Sequence, residues 1–165
     1  MIGKKIAKAI NEQMNRELYS AYLYLAMSAE AVEKGYKGSG KWFRVQFQEE
    51  QAHALKFYDY LQSQGAAVEL VAVGTPKAGF KTLVEMFETT LAHEKSITKS
   101  LNDLMDLAVQ EKDYATQALL QWYITEQVEE EANDTDVLSM LRMAGASAGT
   151  LLMVDKQLGK RGAAT

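Results

Sequence analysis

Hydrophobic residues recur at helical spacing through most of this chain. Long segments of good helix formers lie between four groups of glycines, and the strict alternation typical of strands is almost absent. The pattern predicts helices at residues 3–34, 39–64, 80–109 and 113–143, and a short one near 147–158. The break near 110–113 is weakly marked and is placed there mainly on length. The expected fold class is therefore all-α.

The connections between the helices predict their arrangement. The turns near 35–38 and 110–112 are short, so the helices that they join should be antiparallel neighbours. Residues 65–79 form a long link for two helices. Fifteen extended residues reach about 50 Å, whereas a helix of 26 residues is about 39 Å long. The link can therefore run the length of a four-helix bundle and make the second and third helices parallel.

Each of the four long helices carries an acid on its apolar face. In the second helix, Glu50 interrupts an otherwise apolar stripe, and His53 lies one turn further on. A Glu and a His at this spacing can point at one ion, and inward-facing Glu-x-x-His is a recurrent ligand unit of di-iron bundles. The other apolar faces are interrupted at Glu17, at Glu94, and at Gln127 and Glu130. A carboxylate alone in a core is costly, so acids on four helices together predict a metal site in the bundle core.

Composition bounds the possible functions. The 165 residues are enough for one domain, expected to span 1–165, and 47% of them are hydrophobic. The formal net charge of −4 argues against nucleic-acid binding, which favours a basic face. The chain has no cysteine, which excludes disulfides, zinc–thiolate sites and Cys-ligated iron–sulfur centres. No stretch approaches the roughly 18 apolar residues of a membrane span, and the N-terminus lacks a signal-peptide pattern, so a cytoplasmic protein is expected.

The sequence resembles the bacterial non-haem ferritins over essentially its whole length. The resemblance rests on several motifs in order: Glu17 with Tyr24, Glu49-Glu50-Gln51-Ala52-His53-Ala54, Glu94, Glu126-Gln127-Val128-Glu129-Glu130-Glu131, and Leu151-Leu152-Met153-Val154-Asp155-Lys156. It implies a ferritin-like bundle with a short fifth helix, assembled into a homo-oligomeric shell of twenty-four subunits. Each subunit would oxidise Fe(II), with dioxygen or peroxide, at a di-iron ferroxidase centre and pass Fe(III) to a stored mineral.

The resemblance also assigns the iron ligands. It places site A at Glu17, Glu50 and His53, and site B at Glu50, Glu94 and Glu130, with Glu50 bridging the two irons. Gln127 and Tyr24 would lie close to the centre. A third iron site would use Glu49, Glu126, Glu129 and Glu130. Carboxylates and imidazole are donors that suit iron.

The fourth helix departs from a symmetric di-iron motif. Where a second Glu-x-x-His would stand, the chain reads Gln127-x-x-Glu130. A neutral amide is a poorer ligand than a carboxylate, so site B is expected to hold iron more weakly than site A. This suits a centre that hands its iron on.

Simpler explanations of single residues stay open. Glu50 with His53 could be a salt bridge or a satisfied core pair, and His93, about 100° from Glu94 around the helix, is expected at the surface. Tyr24 and Trp122 could be packing residues. A solvated acidic face would account for Glu49, Glu126, Glu129 and Glu131.

Two other functional classes are alternatives. A bacterioferritin binds haem through a methionine of the second helix, and the corresponding residue here is Ala52, so no haem is expected. A non-enzymatic helical bundle that binds a partner would take up no stoichiometric iron.

The fifth helix is too short to be stable alone. Its apolar residues cannot all be buried against one bundle surface: Leu151, Leu152, Val154 and Leu158. The resemblance implies that four copies meet around a four-fold axis and bury these residues between subunits.

Overall fold

The computed structural model describes residues 2–162, and in this part of the chain it contains five helices and no strand. Residue 1 and residues 163–165 of the expected domain lie outside the described residues. The helices are α1 (Lys4–Glu33), α2 (Lys37–Ser63), α3 (Leu83–Gln110), α4 (Tyr114–Ala144) and α5 (Ala148–Leu158). The all-α prediction is confirmed, and the predicted helix ends agree with the structure to within three residues. None of the described helices is long and apolar enough to cross a membrane.

Local capping explains where α3 and α4 begin. The Thr82 hydroxyl accepts a hydrogen bond from the Glu85 backbone N–H at 3.1 Å, which starts α3 three residues later than predicted. Asp113 caps α4 in the same way through the Thr116 N–H at 3.0 Å. Between α3 and α4, Lys112 adopts a φ of 55°, in the left-handed region where glycine is more usual. The turn is therefore tight, although its sequence lacks the glycine or proline that usually indicates one.

The segment between α2 and α3 runs along α1. The Asn11 side-chain amide donates to the Ala67 carbonyl at 2.9 Å and accepts from the Glu69 N–H at 2.7 Å, early in α1. At the other end, the Phe80 N–H donates to the Glu30 carboxylate at 2.7 Å. Since α2 starts at this same end of α1 after a short turn, α2 and α3 are parallel. The predicted long crossover is confirmed.

A layer of buried polar side chains divides the apolar core into two clusters. One cluster contains Tyr24, Phe43 and Phe87, and the other contains Phe57 and Tyr123. The polar layer falls near the middle of each long helix, since each of these helices contributes to both clusters. The acids that interrupt the apolar stripes lie in this layer.

Helix α5 docks on the start of α2. The Asp155 carboxylate accepts hydrogen bonds from the Gly38 N–H at 2.9 Å, the Ser39 N–H at 2.7 Å and the Ser39 hydroxyl at 2.7 Å. These bonds satisfy N–H groups that the first turn of a helix leaves free. Leu158 is buried beside them, whereas Leu152 is 56% exposed. As expected, one bundle surface does not cover all the apolar residues of this helix.

Candidate metal centre

Three predicted site residues converge in the polar layer. Glu17 from α1 and Glu50 and His53 from α2 each offer one ligand atom, and these atoms lie within 4.8 Å of one another. The residues are only 1%, 2% and 5% exposed, respectively. Among residues 2–162 this is the one group of three acidic or histidine ligands that approach so closely. The packing of α1 against α2 thus brings together carboxylate and imidazole donors that could bind a cation.

Two successive hydrogen bonds hold the Glu17 carboxylate from one side. Gln13 Nε2 donates to Glu17 Oε1 at 2.7 Å, and Ser100 Oγ donates to Gln13 Oε1 at 2.6 Å. The other oxygen, Glu17 Oε2, is buried without a hydrogen-bond partner in the described chain. His53 Nδ1 lies 3.5 Å from Glu50 Oε2. An unpartnered carboxylate oxygen beside two other ligand atoms is an arrangement that a cation would complete.

The acids of α3 and α4 lie on the opposite side of Glu50. Gln127 Nε2 donates to Glu94 Oε2 at 3.0 Å, and the Tyr24 hydroxyl donates to Glu94 Oε1. Glu94 and Glu130 are both buried. Gln127 and Tyr24 therefore fix the position of Glu94 from two helices.

Gln46 connects the two sides of the centre. Its Nε2 donates to Glu50 Oε1 at 3.2 Å and to Glu130 Oε2 at 2.9 Å. Neither this residue nor Gln13 was predicted from the sequence. Both lie four residues before a predicted ligand, on the same helix face, which is the signal that could have found them.

Burial raises the pKa of three acids of the centre, so these carboxyl groups keep their protons to higher pH than usual when no metal is bound. Burial first, and then the charge of Glu50, raise the pKa of Glu17 to about 8. Burial raises the pKa of Glu94 to about 7, although hydrogen bonds from Gln127 and Tyr24 oppose the rise. Burial and the charge of Glu94 also raise the pKa of Glu50 well above its ordinary value. A divalent cation would displace these protons and compensate the charges.

Metal-free protein is therefore expected to lose stability as pH rises from 5 to 8.5. The unfolded chain releases the protons of Glu17 and Glu94 near pH 4.5, whereas the folded chain keeps them to about pH 8 and about pH 7. Stability is then full below pH 4.5 and is lost as pH rises through the folded values. Melting temperature measured against pH checks this, and Glu17→Gln should flatten the profile, unlike exposed Glu12→Gln. A melting temperature that rises over this range would contradict the expectation.

The residues expected to form a third iron site are placed differently. Glu49 and Glu126 are half-buried and Glu129 is exposed. Glu49 forms an ion pair with Arg161, in which Nη2 lies 2.5 Å from the carboxylate. Burial raises the pKa of Glu49, and the Arg161 charge opposes this. Within the described chain, Glu49, Glu126 and Glu129 belong to no close group of three ligands.

Arg161 reaches this position from the segment after α5. Its guanidinium lies 4.5 Å from the centre of the Trp42 ring, and its Nη1 donates to Gln46 Oε1 at 2.7 Å. Since Gln46 also bonds Glu50 and Glu130, a continuous set of hydrogen bonds joins the C-terminal segment to the centre. No pattern in the sequence predicted that this basic residue would lie beside the centre.

Three further residues flank the centre. His93 is half-buried, with Nε2 2.7 Å from Ser20 Oγ, so the expectation of a surface residue is wrong. The reason is that α3 packs against α1 and encloses the imidazole between them. The Tyr123 hydroxyl donates to the His53 carbonyl at 2.7 Å, and Trp122 lies edge-on to the His53 ring. Tyr123 and Trp122 thus pack around His53.

One buried acid was missed altogether. Asp134 lies on the inward face of α4, four residues after Glu130, and is 1% exposed. The same helical spacing that identified Glu130 would have identified it. Burial, together with the charges of Glu94 and Glu130, raises the pKa of Asp134 to about 9.

Known proteins share both the sequence pattern and the fold. A family model described as a ferritin-like domain matches residues 7–144. A bacterial non-heme ferritin of Staphylococcus aureus (strain MRSA252) is 37% identical over 98% of this chain and 97% of its own length. A probable bacterial non-heme ferritin-like protein of Haemophilus influenzae is 39% identical over 96% of both chains.

Solved ferritin structures superpose closely on this chain. A closed form of the Archaeoglobus fulgidus ferritin, engineered by site-directed mutagenesis, has a TM-score of 0.97 and 43% identity, covering 99% of this chain and 100% of that one. A humanized archaeal ferritin has a TM-score of 0.98 and 41% identity, with both chains fully covered. The match in sequence and in fold extends over nearly the whole molecule, and the chain belongs to the ferritin family.

Proposed function

We propose that this protein stores iron by oxidising Fe(II) to Fe(III) at a di-iron ferroxidase centre and holding the product as a ferric mineral inside a protein shell. The observation that carries the proposal is the convergence of Glu17, Glu50 and His53 in the bundle core. The family supports iron storage, and the buried donor set supports oxidation within the subunit.

The donor set is suited to iron that changes its charge. Glu17, Glu50 and His53 form site A, and Glu50, Glu94 and Glu130 form site B. Each Fe(II) gives one electron to dioxygen or peroxide and becomes Fe(III). Because the carboxylates are negative and buried, they favour the ion of higher charge and so favour oxidation.

Glu50 is positioned to serve both sites. Its Oε2 faces His53, and its Oε1 faces Gln46, which also bonds Glu130. Gln127 and Tyr24 hold Glu94 by hydrogen bonds and act as positioning residues at site B. In place of a second Glu-x-x-His, the chain has Gln127-x-x-Glu130, with an amide where the carboxylate would be and no histidine. Site B is therefore expected to bind iron more weakly.

A crystal soaked anaerobically in Fe(II) tests the proposal. At the lowest iron load, anomalous density should appear beside His53, and density between Glu94 and Glu130 should follow at higher load. Titration in solution should reach at least two Fe(II) per subunit. Equal filling at the lowest load would contradict the difference between the sites, and absence of stoichiometric iron would favour a non-enzymatic bundle.

A third iron site at Glu49, Glu126, Glu129 and Glu130 remains part of the proposal. An ion there would have to compete with Arg161 for Glu49. Changing Glu49, Glu126 and Glu129 together to Gln should alter the iron stoichiometry or the turnover after the first oxidation, while two-iron binding persists. Arg161→Gln should have the opposite effect on occupancy, since it frees Glu49. If all of these quantities stayed unchanged, the solvated acidic face would be the better explanation.

The proposal includes a shell of twenty-four identical subunits in the cytoplasm, without haem. Light scattering after size-exclusion chromatography should give about twenty-four times the 18.4 kDa of one chain. Protein purified from cells grown with a haem precursor should show no Soret band. A monomeric full-length protein would contradict the shell.

A further inference from the structure

Asp134 is a buried acid that the proposed centre does not use. Neither of its carboxylate oxygens accepts a hydrogen bond from any group in the described chain. Among the half-buried and buried residues described, the only other fully enclosed side-chain oxygen or nitrogen without a partner is Glu17 Oε2. Glu17 belongs to the group of three side chains whose possible ligand atoms lie within 4.8 Å of one another. Asp134 thus shares with Glu17 the feature expected of a carboxylate that receives an ion.

The position of Asp134 extends the row of acids beyond Glu130. Four residues along α4 correspond to about 6 Å along the axis and about 40° around it, so both side chains lie on the inward face. The negative charges that act on Asp134 most strongly are those of Glu94 and Glu130. The charge of Asp134 in turn helps to raise the pKa of the Tyr24 phenol. Tyr24 belongs to one apolar cluster, whereas Tyr123, which contacts His53, belongs to the other, so Asp134 lies on the side of the centre away from His53.

We propose that Asp134 and Glu130 bind a further hard divalent cation on the Tyr24 side of the centre, with Glu94 as the third nearby acid. Both Asp134 oxygens are free to bind one ion, and such cations prefer oxygen ligands. The three acids do not bring three oxygens within 4.8 Å of one another, so Glu130 must rotate towards Asp134 as the ion binds. The identity of the ion as Fe(II) rests on the proposed function, whereas the site itself rests on Asp134.

The described chain offers no other compensation for a negative charge on Asp134. No donor in the described chain hydrogen-bonds to either Asp134 oxygen, so no hydrogen bond compensates a negative charge there. Arg161 is the nearby cation that acts on Asp134, but its guanidinium N–H groups donate to Gln46 and Glu49. A bound cation would compensate three neighbouring negative charges at once.

Crystals of the assembled protein soaked in Co(II), which is not oxidised under these conditions, test the site. Anomalous density at the cobalt edge should appear between Asp134 and Glu130 in addition to density beside His53. In Asp134→Asn the first peak should be lost and the second kept, and calorimetry should count one Co(II) fewer per subunit. Asp136→Asn, an exposed change on the same helix, should keep both peaks.

The peak beside His53 separates the two proposals. If cobalt binds beside His53 while Asp134 contacts only a water molecule, the inference about Asp134 is wrong and the proposed function stands. If neither position fills, both are wrong. Asp134→Glu keeps a carboxylate and should retain the ion, so loss of the peak in Asp134→Asn but not in Asp134→Glu would support binding by the carboxylate. A peak that is unchanged in Asp134→Asn, or that is lost equally in Asp134→Glu, would overturn the site.

Discussion

Glu50→Gln is expected to abolish the fast phase of Fe(II) oxidation while the shell still assembles. Glutamine has nearly the same shape and still accepts a hydrogen bond from Gln46, but it removes the negative charge that both iron sites share. Loss of a group that only supports a metal ligand lowers metal affinity or activity by about 10- to 100-fold. Loss of the proposed bridging ligand should therefore lower the oxidation rate by at least as much. Stopped-flow measurement of Fe(II) oxidation under dioxygen checks this, and His53→Ala should behave in the same way.

Two controls separate lost catalysis from lost structure. Asp59→Asn removes an exposed charge from the same helix and should leave the rate unchanged. Metal-free Glu50→Gln should be at least as stable as the unchanged protein at neutral pH, because glutamine is neutral at every pH, whereas keeping the buried Glu50 protonated above its ordinary pKa costs stability. Oxidation at the unchanged rate in Glu50→Gln would remove Glu50 from the mechanism.

The helices and the core acids could be predicted because both depend on local periodicity. Glu17, Glu50, Glu94 and Glu130 each break an apolar stripe, and a single helical turn is enough to recognise the break. Asp134 carries the same signal and was still missed. The structure was needed to show that it is unpartnered.

The remaining features depend on contacts between distant residues. Arg161 follows the last helix and lies beside Glu49, 112 positions away in the chain. No spacing rule connects two such residues, since their proximity depends on how α5 docks on α2. The tight turn at Lys112 was weakly marked for another reason, because a lysine there adopts a backbone conformation typical of glycine.

The docking of α5 gives the second large expected effect. Asp155 accepts three hydrogen bonds at the start of α2 and places a negative charge at the positive end of that helix. Loss of a comparable cap costs about 0.5–2 kcal/mol. A Cβ added at Gly38 would lie only 1.8 Å from the Asp155 carbonyl oxygen, so the backbone of α5 would have to move. Asp155→Asn should therefore weaken the docking, and Gly38→Ala should disrupt it.

If α5 does not dock, the four-helix bundle should stay folded and the assembly should be weakened. The two core clusters draw mainly on α1 to α4, so helical content and two-iron binding should persist in Gly38→Ala. Because the shell repeats the contact in every subunit, size-exclusion chromatography with light scattering should show smaller or less heat-stable assemblies, as should truncation after Gly145. Gly149→Ala is the matched control, since a Cβ there meets nothing within 4 Å. If Gly38→Ala and the truncated chain both formed intact shells of unchanged heat stability, α5 would have no role in assembly.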